Sequence, residues 1–583
     1  MNRTTSQPRA ATVVDALLAR ADGPDAGRPV FTALDADGEP AEQLTAGALL
    51  DRVRALAAAL RAVGRAGDRV IVPALPGLDF HVGLLGCFYA GMIAVPVPQL
   101  RTGARQRTTV RAERLTAISR DCAPVAVLVS TAEEADEAEE AEDTEDAVTW
   151  IPVRQPARDA AAPAGPAALA PADTALLQYT SGSTGSPRGV LVSHGNLVAS
   201  QVALRDRCEI DSETTVVNWL PLFHDMGLCT GVVLPLVSGA AAVTMEPATF
   251  VRDPRIWLRA IEAEEDVFAA APDFAYNLCV RRIPEDERAR IDLSTWRVAA
   301  NGSEPVRAST LRRFARAFRR SFFREEVFTP GYGLAECTLT VTMDRPLYPT
   351  PVRHYERDAL AAGRATPASP GADAVELVGC GTAVSGVHVR VVDPDTRRPL
   401  AERVVGEIWV DAPGNCAGYW GRDAESAEVF AARTEGDPAD ADTRYVRTGD
   451  LGFLDGDELF VTGRLKDVLI IGGENYFPQD VEAVAGAAHA AFEHQRAAAW
   501  PLDEAHPGVA VVVETRERDP RELADAVRAA GIAVARVLPA PVSVYAVAPN
   551  KVPRTTSGKI RRRACAQQMA AGRLPLLAHW SSR

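Results

Sequence analysis

The sequence predicts an α/β protein in which a large N-terminal domain of sheets sandwiched with helices precedes a small α+β C-terminal domain, and three observations carry that reading. First, Leu49, Val53, Leu56 and Leu60 recur at helical spacing and lead through Gly67-Asp68 into Arg69-Val-Ile-Val-Pro73, which reads as a strand. Second, residues 80–98 read as a buried helix followed by a strand closed by prolines. Third, the texture changes after about residue 463. Val481, Val484, Ala485 and Ala488 fall at i, i+3, i+4 and i+7 after Pro478, Val509, Val511 and Val513 alternate as in a strand, 520–530 reads as a helix and 542–547 as another strand. With 583 residues, 47% of them hydrophobic, the chain has material for more than one core.

Charge and cysteine usage narrow the function. A net charge of -14 excludes the clustered basic footprint of a nucleic-acid binder. The nine cysteines are scattered from Cys87 to Cys565 without a C-x-x-C pair, so neither a disulfide framework nor a zinc site is expected, and a reduced, cytoplasmic setting is. His489 and His494 are five apart, off a single helical face, and suggest no metal pair. The start lacks the apolar core of a signal peptide and no run approaches the roughly 18 apolar residues of a membrane helix, so no stable membrane insertion is expected. The acidic, alanine-rich 131–147 and the Ala/Pro-rich 156–171 read as a surface excursion too poor in large apolar residues to pack.

Chemistry enters at residues 176–190. Leu176 to Tyr179 read as a short buried strand, and Thr180-Ser-Gly-Ser-Thr-Gly185 then supplies hydroxyls and a backbone free enough for amide N–H groups to converge on an anion. Such a cluster is common in ordinary loops, and here the ordered hydroxyl-glycine repetition argues for phosphate. No Gly-Lys-Ser/Thr follows, so this is not the P-loop; the nearest cation is Arg188. Ser193-His-Gly-Asn can cap a helix through 197–204. Phe223-His-Asp-Met-Gly-Leu228 then sets His224 and Asp225 among large apolar side chains. Further on, Gly302-Ser-Glu-Pro305 and Gly331-Tyr-Gly-Leu-Ala-Glu336 each follow an apolar run, as loops at the carboxyl ends of sheet strands do. Asp450 can accept bonds from both hydroxyls of a sugar diol, and Arg464 adds a cation nearby in sequence. Near the end Thr555-Thr-Ser-Gly-Lys559 presents one lysine in a polar turn of an otherwise acidic chain.

Taken in order, these motifs closely resemble the adenylate-forming superfamily of acyl-CoA synthetases, peptide-synthetase adenylation domains, luciferases and fatty-acyl-AMP ligases, and most of all the last of these. The resemblance covers nearly the whole chain. It implies an AMP-binding N-terminal domain over 1–463 and a mobile C-terminal domain over 464–583 that carries the catalytic lysine. ATP would be held by Thr180, Ser181, Gly182, Ser183, Thr184, Gly185, Gly302, Ser303, Glu304, Pro305, Gly331, Tyr332, Gly333, Asp450, Arg464 and Lys559. Tyr332 would pack on adenine, Asp450 and Arg464 would meet the ribose or phosphates, Glu336 would serve Mg²⁺, and Lys559, Glu336, Thr180 and His224 would form the catalytic set. Lys466 aligns with the hinge between the domains. Residues 343–381, with Tyr355-Glu-Arg-Asp-Ala-Leu360 and Val378-Gly-Cys-Gly, resemble the extra segment of the acyl-AMP ligases, which would pack against the C-terminal domain.

The function so implied is activation of a medium- or long-chain fatty acid by ATP to acyl-AMP, then transfer to the phosphopantetheine thiol of an acyl carrier protein acting in trans, in lipid, polyketide or lipopeptide biosynthesis. Two sequence features depart from the pattern: Gly472-Gly-Glu-Asn475 is more like acyl-CoA synthetases, and Arg188 stands where many relatives have lysine. An acyl-CoA synthetase using CoA is therefore one alternative. A nucleotide-binding sensor that kept the fold without the chemistry is the non-enzyme alternative, and the joint presence of Lys559, Glu336 and Asp450 argues against it.

Overall fold

A computed structural model describes residues 10–99, 110–141, 148–156, 165–180, 187–369, 373–437, 443–471, 474–502, 508–554 and 560–582. Two large sheets and a four-stranded antiparallel one, of His388–Val392, Gly406–Asp411, Val446–Asp455 and Glu458–Arg464, build the large body with helices between and around them. The first has six strands in the order Thr149–Pro152, Ala126–Val129, Arg69–Pro73, Ile93–Val97, Thr174–Thr180, Arg188–Ser193. Its pairings are parallel until Arg188–Ser193 returns antiparallel along Thr174–Thr180. The second has nine strands, of which Phe328–Leu334, Trp296–Asn301, Val267–Ala271, Thr215–Asn218, Ala241–Thr244 and Pro29–Leu34 are consecutive and mutually parallel. Parallel sheets are covered on both faces, so their strands are apolar throughout rather than alternating. Val267–Ala271 is buried at all five positions.

Helix Asp79–Ala90 is apolar on every side and buried at every position, the condition of a helix held between layers. It packs on helix Ala46–Val63, whose Leu49, Val53, Leu56 and Leu60 are fully buried as their spacing predicts. One continuous apolar core spans both sheets, from Val13 to Leu459. A separate core begins at Leu469 and belongs to the C-terminal sheet of Phe492–Pro501, Val509–Thr515, Val542–Val547 and Leu576–Ser581, with helices Pro478–Ala487 and Pro520–Ala535 against it. The architecture is thus α/β, a large domain followed by a smaller one.

The structure corrects one reading. The acidic tract is not an unpacked excursion: residues Ala132–Ala141 form a helix whose Ala135 and Ala138 are buried, and it packs on strand Thr149–Pro152. Alanine and glutamate are strong helix formers, and two alanines three apart leave a face small enough for close approach. Part of the Ala/Pro-rich tract also docks, with the Ala167 amide donating to the Tyr89 carbonyl at 3.0 Å and Arg61 Nη1 to the Gly165 carbonyl at 3.1 Å. Residues 142–147 and 157–164 of these tracts lie outside the described ones. The alternating valines form strand Val509–Thr515 as their pattern predicts, and all seven positions are buried. Val509, Val511 and Val513 face the core of Pro520–Ala535, while Ala510 and Val512 are covered by Cys565 of helix Arg562–Ala570 and its neighbours.

The 343–381 segment folds into an antiparallel pair, Val352–Glu356 with Ala374–Val378, and a short helix Arg357–Ala361. It is fastened to the body by Tyr355, which is 1% exposed, lies edge-on to Phe453 and Phe460, and donates its hydroxyl to Asp455 Oδ2 at 2.8 Å. On its other side Leu360, Ala361 and Val375 share a narrow cleft with Phe477, Val481 and Leu538 of the C-terminal domain. All nine cysteines are buried and unpaired, and among the described residues no helix is long and apolar enough to cross a membrane.

Candidate active site

The site draws on strands of the two large sheets and of the four-stranded sheet. Thr174–Thr180 turns back into Arg188–Ser193 with Thr180 paired to Arg188, which fixes the two ends of the proposed phosphate loop. Ser181, Gly182, Ser183, Thr184 and Gly185 themselves lie outside the described residues. Gln178, 5% exposed, donates Nε2 to the Phe223 carbonyl at 2.9 Å and so ties this strand to the segment carrying His224. His224 precedes helix Asp225–Leu228 in extended conformation, half-buried, its ring 4.7 Å from that of Phe223.

Strand Phe328–Leu334 delivers Tyr332 and, one short turn later, Glu336. The neighbouring strand Leu339–Met343 crowds this turn: a Cβ on Gly333 would lie 1.4 Å from the Leu339 carbonyl oxygen, so only glycine fits. A Cβ on Gly302 would lie 3.0 Å from the Gly331 carbonyl oxygen, which shows that the two glycine-bearing loops abut. Ser303 adopts a left-handed φ of 68° there. Glu304, half-buried beside it, accepts the Phe274 amide at 2.6 Å. Burial first, then the charge of Asp273, push its carboxyl up to about 7, against Arg554 and Arg307, which pull it down. Pro305 is exposed at the end of this loop.

Two carboxylates anchor the cleft. Glu336 accepts the Tyr419 hydroxyl at 3.0 Å, and Tyr419 lies under the Arg188 guanidinium, 5.4 Å from ring centre to Cζ. Burial holds the Glu336 carboxyl above the usual range, while its backbone, Tyr419 and Arg464 lower it and Asp225 raises it slightly further. Asp225 and Arg464 are thus within electrostatic reach of Glu336. Asp450, 6% exposed, accepts the Tyr332 hydroxyl at Oδ2 (2.9 Å) and Arg464 Nε at Oδ1 (2.8 Å), its register partner on strand Glu458–Arg464. Each oxygen retains acceptor capacity for a sugar hydroxyl. Arg188 itself pairs with Glu425 at 2.7 Å.

Beyond this cleft, Lys466 is exposed in the one-turn helix Leu465–Asp467 that joins body and C-terminal sheet. Lys559 lies outside the described residues; on either side of 555–559, Arg554 and Ile560 form a bridge and the Arg561 amide donates to the Pro553 carbonyl at 2.8 Å. The structure thus brings together Thr180, His224, Gly302, Glu304, Tyr332, Glu336, Asp450 and Arg464, and it adds Tyr419 and Gln178, which sequence reasoning missed. The signal for Tyr419 was present as an aromatic pair between glycines, Gly418-Tyr-Trp-Gly421, whose Gly418 and Trp420 backbones bond to Leu191 and Gly189 of the phosphate-loop hairpin. Among the described residues no group of three or more His, Cys, Asp or Glu forms a closed metal site.

Known proteins resemble this chain along nearly its whole length. The family model described as "AMP-binding enzyme" matches residues 21–420. The medium-chain-fatty-acid--[acyl-carrier-protein] ligase JamA of Moorena producens is 33% identical over 99% of this chain and 98% of its own length. The long-chain-fatty-acid--AMP ligase FadD26 of Mycobacterium marinum is 34% identical over 92% and 94%. Among solved structures, a fatty acid AMP ligase of Legionella pneumophila superposes with a TM-score of 0.76 at 32% identity, covering 99% of both chains. A structure from a study of fatty acyl-adenylate ligases from E. coli and L. pneumophila gives 0.86 at 30% identity over 96% and 98%.

Proposed function

The chain belongs to the AMP-binding enzyme family, as a fatty-acyl-AMP ligase, and from that premise we propose how its own residues carry the reaction. A fatty carboxylate is a poor electrophile because its charge is shared by two oxygens. One of those oxygens attacks the α-phosphorus of ATP, the bond to the bridging oxygen breaks, pyrophosphate leaves, and the acid becomes a mixed anhydride. The thiol of a phosphopantetheinylated carrier protein then attacks the acyl carbonyl, loses its proton, and displaces AMP. A medium- or long-chain acid and a carrier acting in trans are the substrates this reading supports, in line with the ligase relatives named above.

In this scheme residues 180–185 and Arg188 cradle the phosphates, Tyr332 packs on the adenine beside the 302–305 loop, and Asp450 with Arg464 holds the ribose. His224 closes over the carboxylate, and Lys559 approaches the α-phosphate from the C-terminal domain, beyond a boundary at Gly463, to offset developing charge. Glu336 fits a Mg²⁺ ion: it is an oxygen donor held by a tyrosine hydroxyl and bonded by no cation among the described residues, and Mg²⁺ commonly takes one or two carboxylates and fills its shell with phosphates and water. When bound, the ion would neutralise charge on the transferring phosphates.

The observation that carries the reading is the convergence of two carboxylates from distant parts of the chain, each held by a tyrosine hydroxyl, beside the hairpin of the phosphate loop. The test is incubation with ATP, Mg²⁺ and a panel of fatty acids, with CoA or with holo-carrier, following pyrophosphate, acyl-AMP and both thioesters by mass. Acid-dependent pyrophosphate release with acyl-carrier and little acyl-CoA is expected. Efficient acyl-CoA formation would leave adenylation standing and make the chain an acyl-CoA synthetase, the reading that Gly472-Gly-Glu-Asn475 favours. ATP binding without pyrophosphate release would leave only a sensor.

A further inference from the structure

We propose that Glu425 is a built-in competitor for Arg188: its carboxylate occupies one arm of the guanidinium and so weakens the hold of the site on ATP and on departing pyrophosphate. The inference rests on the phosphate site proposed above and adds to it the residue that sets how tightly that site keeps its anions.

Arg188 opens strand Arg188–Ser193, in register with Thr180. Its Nη2 meets Glu425 Oε1 at 2.7 Å, and the two side chains are 15% and 30% exposed. Its Cζ lies 5.4 Å from the centre of the Tyr419 ring, and the Tyr419 hydroxyl donates to Glu336 Oε1 at 3.0 Å. The guanidinium therefore stands at the cleft, one aromatic ring away from Glu336, where the phosphates are proposed to lie.

Glu425 is placed independently of this pair. It lies in the first turn of helix Asp423–Phe430, where the positive end of the helix dipole favours a carboxylate. The turn leading into that helix is tied to the same hairpin as Arg188. The Leu191 amide donates to the Gly418 carbonyl at 2.9 Å, the Trp420 amide to the Gly189 carbonyl at 2.8 Å, and Arg422 Nη2 to the Pro187 carbonyl at 3.2 Å. Ser426 closes the turn, its Oγ accepting the Tyr419 amide at 2.8 Å and donating to the Arg422 carbonyl at 2.7 Å. The carboxylate is thus held in front of Arg188 by backbone contacts that do not depend on the ion pair.

The pair matters because residue 188 is an arginine. A guanidinium can give a phosphate two parallel N–H bonds, which the point charge of an ammonium cannot. Pyrophosphate has to leave after each adenylation, and a fork open to it on both arms would hold the product back. Glu425 takes one arm and offsets its charge, so that Arg188 can meet a phosphate without keeping it. Removing only the charge at 425 should then tighten anion binding. If Glu425 instead served to aim Arg188 at the phosphates, the same change would leave binding as it is or weaken it.

The test uses the full chain and calorimetric titration with ATP, pyrophosphate and AMP in the presence of Mg²⁺. Glu425→Gln is the main variant because it keeps the shape and an acceptor oxygen; thermal unfolding confirms that it folds. It is expected to bind ATP and pyrophosphate about two- to fivefold more tightly, the range that one partly exposed ion pair spans, and the gain should shrink as salt is added. AMP, which lacks the β- and γ-phosphates, should change less, and pyrophosphate should inhibit adenylation by the variant at correspondingly lower concentration. In an Arg188→Gln background the same substitution should have no effect, since the partner it frees is gone. Unchanged or weaker pyrophosphate binding by Glu425→Gln overturns the competition, as does tightening that survives in the Arg188→Gln background. If Arg188→Gln alone binds ATP and pyrophosphate as the parent does, Arg188 is no phosphate residue and the competition falls with it. Acid-dependent pyrophosphate release by the parent protein, followed on the same preparations, judges the adenylation reading separately.

Discussion

Glu336 in the large body and Glu482 in the C-terminal domain are both carboxylates enclosed by protein, and they are held in opposite ways. Glu336 receives a tyrosine hydroxyl at 3.0 Å and, among the described residues, no cation bonds to it directly, so burial keeps its carboxyl above the usual range. Glu482 receives both arms of Arg562 and a backbone amide. A hydroxyl orients a carboxylate without cancelling its charge, whereas a bidentate guanidinium cancels it and fixes it. The first arrangement leaves affinity for an incoming cation; the second makes a strut. Charge left over in the body suits a site, and charge balanced in the smaller domain suits a support.

The sharpest break of that contrast is at the proposed catalytic lysine. Lys559→Ala should lower pyrophosphate release by about 10²–10³ while ATP binding, read by calorimetry, is retained. Next, Asp450→Ala should raise KM for ATP more than KM for the acid, by the tenfold or greater factor that corresponds to losing about 1.5–3 kcal/mol of hydrogen bonds to a charged group. An unchanged ATP KM would move Asp450 out of the nucleotide site.

A change at the seam between the regions should be smaller and of opposite sign. Leu360 is 3% exposed and faces Phe477 and Val481 across the cleft. Leu360→Asp places a charge there and should free the C-terminal domain, so acyl-CoA formation is expected to rise several-fold as a few kcal/mol of apolar contact is lost. No rise, with normal adenylation, would show that the 343–381 segment does not restrain the arm.

Two finer tests address ionisation. The Tyr419 hydroxyl lowers the Glu336 pKa, so Tyr419→Phe should raise it further. If the ionised form is the active one, the acid limb of the adenylation pH profile then moves to higher pH. The smallest effect concerns Glu304, whose carboxyl is pushed up to about 7 by burial. Between its unfolded value near 4.3 and about 7 the folded state binds the extra proton, so its contribution to stability falls as pH rises and is level above about 7. Glu304→Gln should lack this slope in denaturant titrations from pH 5 to 8. A parental slope in the variant would place the titration elsewhere.

Much of this was legible in the sequence because chemistry demands particular residue types. Thr180, Tyr332, Glu336 and Asp450 stand in short motifs of glycine, hydroxyl and carboxylate, and the structure brings them to one cleft. Their holders were not legible. Tyr419 lies 83 residues from Glu336, and the Trp420 amide beside it reaches the Gly189 carbonyl from farther still along the chain, so no local periodicity links them. Arg562 meets Glu482 across 80 residues for the same reason. Residues 132–141 misled because few large apolar groups suggested solvent, whereas alanine packs by being small. The buried outer face of Val509–Thr515 was hidden because a covering helix supplied from 562–570 leaves no mark on the strand itself.

The burial of every cysteine has a practical consequence. Thiolates are the species that react with alkylating reagents, and burial pushes these thiols up, Cys565 to about 12. Eight of the nine lie at or before Cys416, and Cys565 lies in the helix that covers the C-terminal sheet. Labelling therefore requires local opening, and its kinetics divide by address. The rate at Cys565 reports how often the small domain breathes, the other eight report the body, and a mass-resolved pulse of reagent reads both clocks from one unmodified protein.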